Sequence, residues 1–318
     1  MRMTRVAAID CGTNSIRLLV ADVDPVAGTV TDLDRRMEIV RLGQGVDRTG
    51  MLAPEALART LDATGRYAEI LRELGAERVR FVATSATRDA SNRQDFVDGV
   101  RAALGVEPEV VTGVEEAELS FRGATSVLGG AHPGPFLVVD IGGGSSELVL
   151  GTDSVLAARS MDVGCVRLTE RHLAGDPPTA EQIAAASADV RAALDAASVD
   201  VPLGRAATLV GLAGSVTTVT AHALGLASYE PSRIDGAVLD ADAVVAAASE
   251  LTAMTRAQRG ELGFMHPGRV DVIGAGALVW SLIVERVRAE VGAAGGELRT
   301  VVTSEHDILD GIALSAAV

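Results

Sequence analysis

Two short glycine-containing turns carry most of the residues that could do chemistry. Residues 10–15 read DCGTNS, and residues 140–147 read DIGGGSSE. Glycine lets a phosphate oxygen approach the main chain closely, and successive amides in such turns form anion-binding nests. Asp10, Asp140 and Glu147 add hard oxygen ligands, which suit a magnesium ion that is also bound by substrate phosphate. These turns therefore predict a site for phosphate and a divalent cation.

The two turns belong to an internal repeat. Residues 6–22 (VAAIDCGTNSIRLLVAD) and 136–151 (FLVVDIGGGSSELVLG) align without gaps, so that Asp10 falls on Asp140. Each copy is an apolar run, a turn and a second apolar run, which predicts a strand–turn–strand hairpin. Two copies predict a duplicated α/β unit whose turns face each other across a cleft.

The rest of the chain alternates predicted helices and strands, which indicates an α/β fold with helices covering mixed sheets. A third glycine turn, GLAGS, joins a strand to a helix, and its amides could receive an anion. The stretch GGAHPGP (129–135) predicts a junction between domains. Apolar residues recurring at three- and four-residue steps predict a helix over 53–74. Asn92 or Ser91 could cap a helix that continues to about residue 104. Further helices are predicted over 114–127, 240–251 and 268–289 and from near 179 and 305, and strands over 78–84, 109–112, 154–162 and 299–303.

Composition excludes several classes of protein. The net charge of −15 argues against a binder of nucleic acid or of anionic membranes. All 28 basic residues are arginine, which excludes a Walker-type phosphate loop, a protein kinase and Schiff-base chemistry. Two cysteines cannot build a disulfide framework. The sequence contains no apolar run long enough to span a membrane. Asp10 also interrupts the N-terminal segment before the apolar region of a signal sequence could form. We therefore expect a cytoplasmic protein.

The three glycine motifs, in this order, resemble the phosphate-1, phosphate-2 and adenosine motifs of the actin–hexokinase–Hsp70 superfamily. More specifically, the chain resembles the exopolyphosphatase/guanosine pentaphosphate phosphatase family in its short, two-domain actinobacterial form. The resemblance rests on ATSATRDASN (83–92), TGVEEAELSFRG (112–123), VVDIGGGSSELVLG (138–151), GLAGSVTTVTA (211–221) and SEHDILDGIAL (304–314).

The resemblance implies two ribonuclease-H-like (actin-like ATPase) domains with an active-site cleft between them. It places the N-terminal domain at residues 1–125 and the C-terminal domain at 126–304. The last helix, 305–318, is expected to pack back on the N-terminal domain.

The resemblance also implies roles for individual residues. Glu116 matches the general base that activates water, and Arg88 matches an arginine that contacts the transferring phosphate. Asp140 and Glu147 match metal ligands, with Asp10 supporting the ion. The residues implied in phosphate binding are Gly12, Thr13, Asn14, Ser15, Gly142, Gly143, Gly144, Ser145, Gly214 and Ser215.

Several other polar residues have more than one possible role. Arg17, Arg41 and Arg93 are either contacts for a phosphate chain or ordinary surface ion-pair residues. The five histidines show no metal-ligand spacing and are expected to be structural or solvated.

The function expected from the resemblance is metal-dependent hydrolysis of terminal phosphate from inorganic polyphosphate. The alternatives are a guanosine pentaphosphate 5′-phosphatase of the stringent response, a non-catalytic sensor of polyphosphate or nucleotide, and a superfamily kinase. The expected cofactor is Mg2+, with Mn2+ as the alternative. A homodimer without nucleic-acid or membrane partners is expected.

Overall fold

The computed structural model of the chain describes residues 3–128 and 130–318. Gly129, the first residue of the predicted junction, lies outside the described residues. The chain divides into two compact units. The first unit contains the chain up to Val127 together with Asp307–Val318, and the second contains Leu128–His306.

Both units combine strands and helices in alternation. The strands are β1 (Thr4–Cys11), β2 (Ser15–Asp24), β3 (Thr29–Ile39), β4 (Arg78–Ala83), β5 (Glu109–Val110), β6 (Phe136–Ile141), β7 (Ser146–Gly151), β8 (Val155–Met161), β9 (Thr208–Leu212), β10 (Val238–Asp240) and β11 (Thr300–Thr303). The helices are α1 (Val46–Thr49), α2 (Pro54–Leu74), α3 (Ser85–Asp89), α4 (Arg93–Leu104), α5 (Gly113–Leu128), α6 (Cys165–Arg171), α7 (Ala180–Asp200), α8 (Ala213–Ala223), α9 (Pro231–Ile234), α10 (Ala241–Ala253), α11 (Arg256–Gly260), α12 (Ile273–Ala293) and α13 (Ile308–Ala316).

The two sheets repeat one topology. The first has the order β3-β2-β1-β4-β5, and the second has the order β10-β11-β9-β6-β7-β8. Without the edge strand β10, the second order is the first one read from the other end. In each sheet three antiparallel strands are followed by two that pair in parallel. The prediction of two ribonuclease-H-like domains is therefore confirmed.

The sheet of the first unit is covered on both faces because β1 is apolar on both sides. Ala7 and Ile9 point to the face where Tyr67 of α2 and Phe96 of α4 are buried. The alternate residues of β1 point to the opposite face, which α13 covers with Ile312. A strand buried on both faces appears in sequence as a continuous apolar run, as residues 6–9 do.

The second unit has one large core, and α12 lies at its centre. This helix contributes Trp280, the only tryptophan, whose side chain is fully buried. An aliphatic cluster from β6, β7, α7, α8 and α10 surrounds it. The first three turns of α12 are buried on every side, and this part of the helix is accordingly apolar all round.

Several predicted boundaries are wrong. Helix α12 begins at Ile273 rather than at 268, because residues 267–269 form a separate 3-10 turn. Helix α13 begins at Ile308, with Asp307 as its N-cap, rather than at 305. Strand β3 was not predicted, because its sequence TVTDLDRRMEI is largely polar and exposed at the sheet edge.

No helix among the described residues combines the length and the apolar character needed to cross a membrane.

Candidate functional site

The two hairpins close through the same hydrogen bond. Gly12 N–H donates to Ser15 O at 2.9 Å, and Gly142 N–H donates to Ser145 O at 3.0 Å. We call these the first turn (residues 12–15) and the second turn (residues 142–145). The sequence repeat is therefore also a repeat of backbone geometry.

The second turn is held through its carbonyl groups. The amides of residues 165 and 166, at the start of α6, donate to Gly142 O at 3.0 Å and Gly143 O at 2.8 Å. The Nε of Arg167 donates to Gly144 O at 2.7 Å. In a planar trans peptide the N–H points opposite to the C=O, so the amides that follow these carbonyls point away from α6. Such an array of amides is what an anion-binding turn requires.

Gly164 allows this close approach of α6, and the sequence reasoning missed it. A Cβ at this position would lie 2.4 Å from Gly143 O and 2.5 Å from Gly143 C. Both are backbone atoms, which cannot move without moving the turn. The glycine before α6 is therefore part of the construction of the second turn.

The first turn is held by a segment that the sequence reasoning also missed. The amides of Val40 and Arg41 donate to Asn14 O, at 3.1 and 2.8 Å, and Gly43 N–H donates to Thr13 O at 2.8 Å. The hydroxyl of Thr13 lies 2.8 Å from the hydroxyl of Ser85, the first residue of α3. Residues 40–43 and α3 thus fix the first turn, and the Thr13 hydroxyl is already engaged within the protein.

Asp10 lies at the end of β1, opposite Arg17 of β2. The Nε and Nη2 of Arg17 donate to Asp10 Oδ2 at 2.9 and 2.7 Å. Asp10 Oδ1 is buried and accepts no hydrogen bond from the described residues. Burial raises the pKa of Asp10, against the opposing effect of the Arg17 charge. Arg17 is therefore not a free surface arginine, and Oδ1 is the oxygen of Asp10 that could take a ligand.

Glu116 and Arg88 form an ion pair in the first unit. Arg88 Nη1 donates to Glu116 Oε2 at 3.0 Å and to Val111 O at 3.0 Å. Glu116 is only 7% exposed, although it lies in the first turn of α5. A carboxylate fixed in this way has the restricted geometry that a general base needs.

Glu115, the preceding residue, has a different environment. Its Oε2 accepts hydrogen bonds from Thr112 N–H at 2.8 Å and from the Thr112 hydroxyl at 2.9 Å. The bond from the Thr112 amide is the main reason that the pKa of Glu115 is lowered. Glu115 thus fixes the N-terminus of α5 at an exposed position.

In the second unit, Asp140 and Glu147 are direct partners across β6 and β7. They are 7% and 1% exposed. Directly opposed residues of antiparallel strands have side chains on the same face, with Cβ atoms roughly 5 Å apart. Ser160 of β8 donates to Glu147 Oε1 at 2.7 Å and orients that carboxylate. The arrangement can present oxygens of both residues to one cation.

The residues fit a magnesium ion that is bound partly by the protein. Within residues 3–128 and 130–318, no three His, Cys, Asp or Glu side chains form a metal-binding group. Magnesium commonly uses one or two carboxylates, and water and substrate phosphate complete its octahedron. The paired carboxylates Asp140 and Glu147 match that requirement, and Asp10 occupies the position equivalent to Asp140 in the first copy of the repeat.

The third glycine motif is built around close packing. A Cβ at Gly214 would lie 2.4 Å from Cζ of Arg269, whose Nη1 donates to Gly214 O at 3.4 Å. The preceding residue, Ala213, has a positive φ of 68°. Ser215 is buried in the first turn of α8. Gly214 therefore makes room for a guanidinium group that the sequence reasoning did not identify.

The remaining candidates have ordinary environments. Arg93 is exposed at the start of α4. Of the two residues that could cap α4, Ser91 and Asn92, the structure has Asn92 at the N-cap position, but its side chain pairs with the backbone of Leu52 instead. The Nε2 of His172 lies 2.9 Å from Asp189 Oδ2. The Nε2 of His222 lies 2.9 Å from Glu250 Oε2.

Comparison with known proteins agrees with this architecture. The Ppx/GppA phosphatase family matches residues 19–299. Exopolyphosphatase 2 of Mycobacterium tuberculosis is 52% identical over 324 residues, with 100% of both chains covered. A guanosine-5′-triphosphate,3′-diphosphate pyrophosphatase of Vibrio atlanticus is 38% identical over 167 residues, which cover 52% of this chain and 33% of that protein. The crystal structure of an exopolyphosphatase-like protein has a TM-score of 0.94 and 47% identity, with 98% of each chain covered. By the extent of these matches, the chain belongs to the Ppx/GppA phosphatase family.

Proposed function

We propose that this chain is an exopolyphosphatase, which hydrolyses the terminal phosphate of inorganic polyphosphate with the help of Mg2+. The observation that carries the proposal is the buried carboxylate of Glu116, whose Oε2 accepts a hydrogen bond from Arg88 Nη1 at 3.0 Å. The full-length similarity to an exopolyphosphatase supports polyphosphate as the substrate.

In the proposed reaction Glu116 takes a proton from a water molecule. The water oxygen bonds to the terminal phosphorus, and the bridging P–O bond breaks, which leaves a chain that is one phosphate shorter. Such in-line transfer depends on positioning the water and the phosphate, and on positive groups close to the non-bridging oxygens. It needs little covalent chemistry by the protein. Arg88 supplies part of that charge beside the base.

The other candidate residues bind rather than react. The amides of the first and second turns, together with Gly214 and Ser215, are proposed to hold phosphate groups. Asp140 and Glu147 are proposed to hold Mg2+ or Mn2+, with support from Asp10, and the bound ion would neutralise charge on the phosphate oxygens.

The substrate test measures phosphate release from short polyphosphate, long polyphosphate and guanosine pentaphosphate, each with and without Mg2+. We expect magnesium-dependent release, with the two polyphosphates preferred over the nucleotide. The similarity to the Vibrio atlanticus protein makes guanosine pentaphosphate the second candidate, and a clear preference for it would reverse the order. Tight binding without released phosphate would indicate a sensor instead of an enzyme.

The test of the base compares Glu116→Gln with Glu115→Gln. Loss of the Glu116 carboxylate should lower kcat by about 10²-fold or more and leave substrate binding largely unchanged. Glu115→Gln makes the same chemical change one residue away, at an exposed carboxylate that contacts Thr112. It should keep kcat within about twofold. Equal activity of both variants and the wild type would remove Glu116 from the mechanism.

We also propose that the chain acts in the cytoplasm and, as the family resemblance implies, that it forms a homodimer. The negative net charge of −15 supports the absence of a nucleic-acid partner.

A further inference from the structure

Arg17 connects the first hairpin to the start of the last helix, α13. On one side its Nε and Nη2 donate to Asp10 Oδ2 at 2.9 and 2.7 Å. On the other side its Nη1 donates to Asp307 Oδ2. The side chains of Asp10 and Asp307 are 7% and 6% exposed. A largely buried guanidinium group therefore lies between two buried carboxylates from distant parts of the sequence.

The two oxygens of Asp307 bind different parts of the molecule. While Oδ2 accepts from Arg17, Oδ1 caps α13 by accepting from Leu309 N–H at 3.0 Å. The Asp307 amide donates in turn to Asp310 Oδ2 at 3.0 Å, which completes a capping box. Arg35 of β3 holds Asp310 through a bond of 2.6 Å to Oδ1. The Asp307 carboxylate consequently has little freedom to turn.

Helix α13 also approaches the helix that carries Glu116. A Cβ at Gly123 of α5 would lie 1.8 Å from Asp307 O. A Cβ at Gly311 of α13 would lie 2.0 Å from Leu119 O. The two helices thus touch backbone to backbone through a pair of glycines. The start of α13 contacts both α5 and, through Arg17, the end of β1.

We propose that Asp307 is a positioning residue, which acts through Arg17 to hold Asp10 and makes the docking of α13 a requirement for the geometry of the first half-site. The first half-site is the set Asp10, the first turn, Arg88 and Glu116. The inference rests on the proposed hydrolase function and adds to it a residue that belongs to no glycine turn.

A purely structural role is the competing explanation, because a buried ion pair can hold a helix without affecting catalysis. The net contribution of such pairs to stability is often near zero, since desolvation of the charges offsets their attraction. Misplacement of a reacting group by about 1 Å can cost on the order of 10²-fold in rate. The two explanations therefore differ in whether kcat falls in a fully folded protein.

The decisive variant is Asp307→Asn. Asparagine has nearly the same shape and caps helices about as well as aspartate, so the change removes the charge facing Arg17 and keeps the cap. We expect kcat for phosphate release to fall about 10- to 100-fold, with KM changed less than threefold, in protein shown to be folded by circular dichroism. Asp307→Glu, which restores the charge on a longer side chain, should recover part of the lost kcat.

The matched control is Asp32→Asn, which removes a carboxylate that pairs with Arg35 at an exposed position of β3. It should leave kcat unchanged. If Asp307→Asn does not fold, Asp307→Ser, which also keeps a capping oxygen, is measured in its place. Wild-type kcat in a folded neutral variant would overturn the inference, as would an equal loss in Asp32→Asn. Absence of phosphate release from the wild type would instead refute the proposed function.

Discussion

Asp10 and Asp140 are the second-to-last residues of equivalent strands in the two units, but they face opposite charges. The partner of Asp10 across the first hairpin is Arg17, and the partner of Asp140 across the second is Glu147. A buried carboxylate is stabilised by a nearby positive charge, and a second carboxylate in register favours binding of a cation. The duplicated hairpin thus places an arginine beside its aspartate in the first unit and a second buried carboxylate beside it in the second unit.

This difference predicts that the second unit holds the proposed Mg2+ ion. Asp140→Asn and Glu147→Gln each remove one negative charge from the carboxylate pair. We expect the Mg2+ concentration for half-maximal activity to rise about 10- to 100-fold in each. We also expect Mg2+ to raise the thermal midpoint of the wild type more than that of either variant, because binding to the folded state stabilises it.

Asp153→Asn is the control for this prediction, because Asp153 is an exposed residue of the loop that follows β7. Its magnesium titration should overlay that of the wild type. If the Asp140 and Glu147 variants also follow the wild-type curve, the ion is bound elsewhere.

The family resemblance made Glu116 and Arg88 candidates through the short motifs that contain them, and the structure pairs the two side chains. The ion pair between Arg17 and Asp307 was not predicted. The second pair joins residues that are 290 positions apart. Local residue spacing cannot predict the contact between Arg17 and Asp307, because the contact forms only when α13 packs on the sheet. Whether Arg17 contacts substrate or forms an ion pair was left open, and the structure shows the ion pair.

At the scale of the elements, close packing around strand β9 requires a glycine at position 211. A Cβ at Gly211 of β9 would lie 2.7 Å from Cζ2 of Trp280 and 2.8 Å from Cγ1 of Val216. The indole ring lies against this backbone position and is fully buried. Gly211 is therefore required by packing in the core and need not contact a ligand.

We predict that Gly211→Ala lowers the free energy of unfolding by about 1–3 kcal/mol, because the added methyl overpacks the core. Fluorescence of Trp280 in a urea titration reports this change in the second unit. Gly292→Ala makes the same substitution in α12, where a Cβ would meet nothing within 4 Å. It should leave the midpoint unchanged or raise it. If the urea midpoint of Gly211→Ala equals that of the wild type, the prediction is wrong, because the indole ring then moves aside without loss of stability.

The elements that sequence reasoning recovered are those with a clear local signal. Both hairpins are apolar runs around a glycine turn, α2 is amphipathic, and α7 begins after Thr179, which caps it in a capping box. Strand β3 was missed because an edge strand needs few apolar residues and carries charges that discourage pairing with other chains. Helix α6 has seven residues, too few to show a helical period, although it fixes the second turn.

For the molecule as a whole, the net charge of −15 bears on association. Two copies of the chain repel each other, and salt screens charges beyond about 8 Å at physiological ionic strength. If the homodimer forms as proposed, light scattering should give twice the mass of the chain. On dilution at low salt the dimer should dissociate more readily than at 0.15 M NaCl. A single chain mass under all these conditions would refute the dimer.

The order of the units along the chain has a consequence for synthesis. Residues 128–306 separate the body of the first unit from the segment Asp307–Val318 that completes its sheet packing. Every residue of the inserted unit is synthesised before this segment, so the first unit cannot complete its packing while residues 128–306 are still being made. Asp10 is among the first residues to be made, yet its partner Arg17 can meet Asp307 only after the whole second unit has been synthesised.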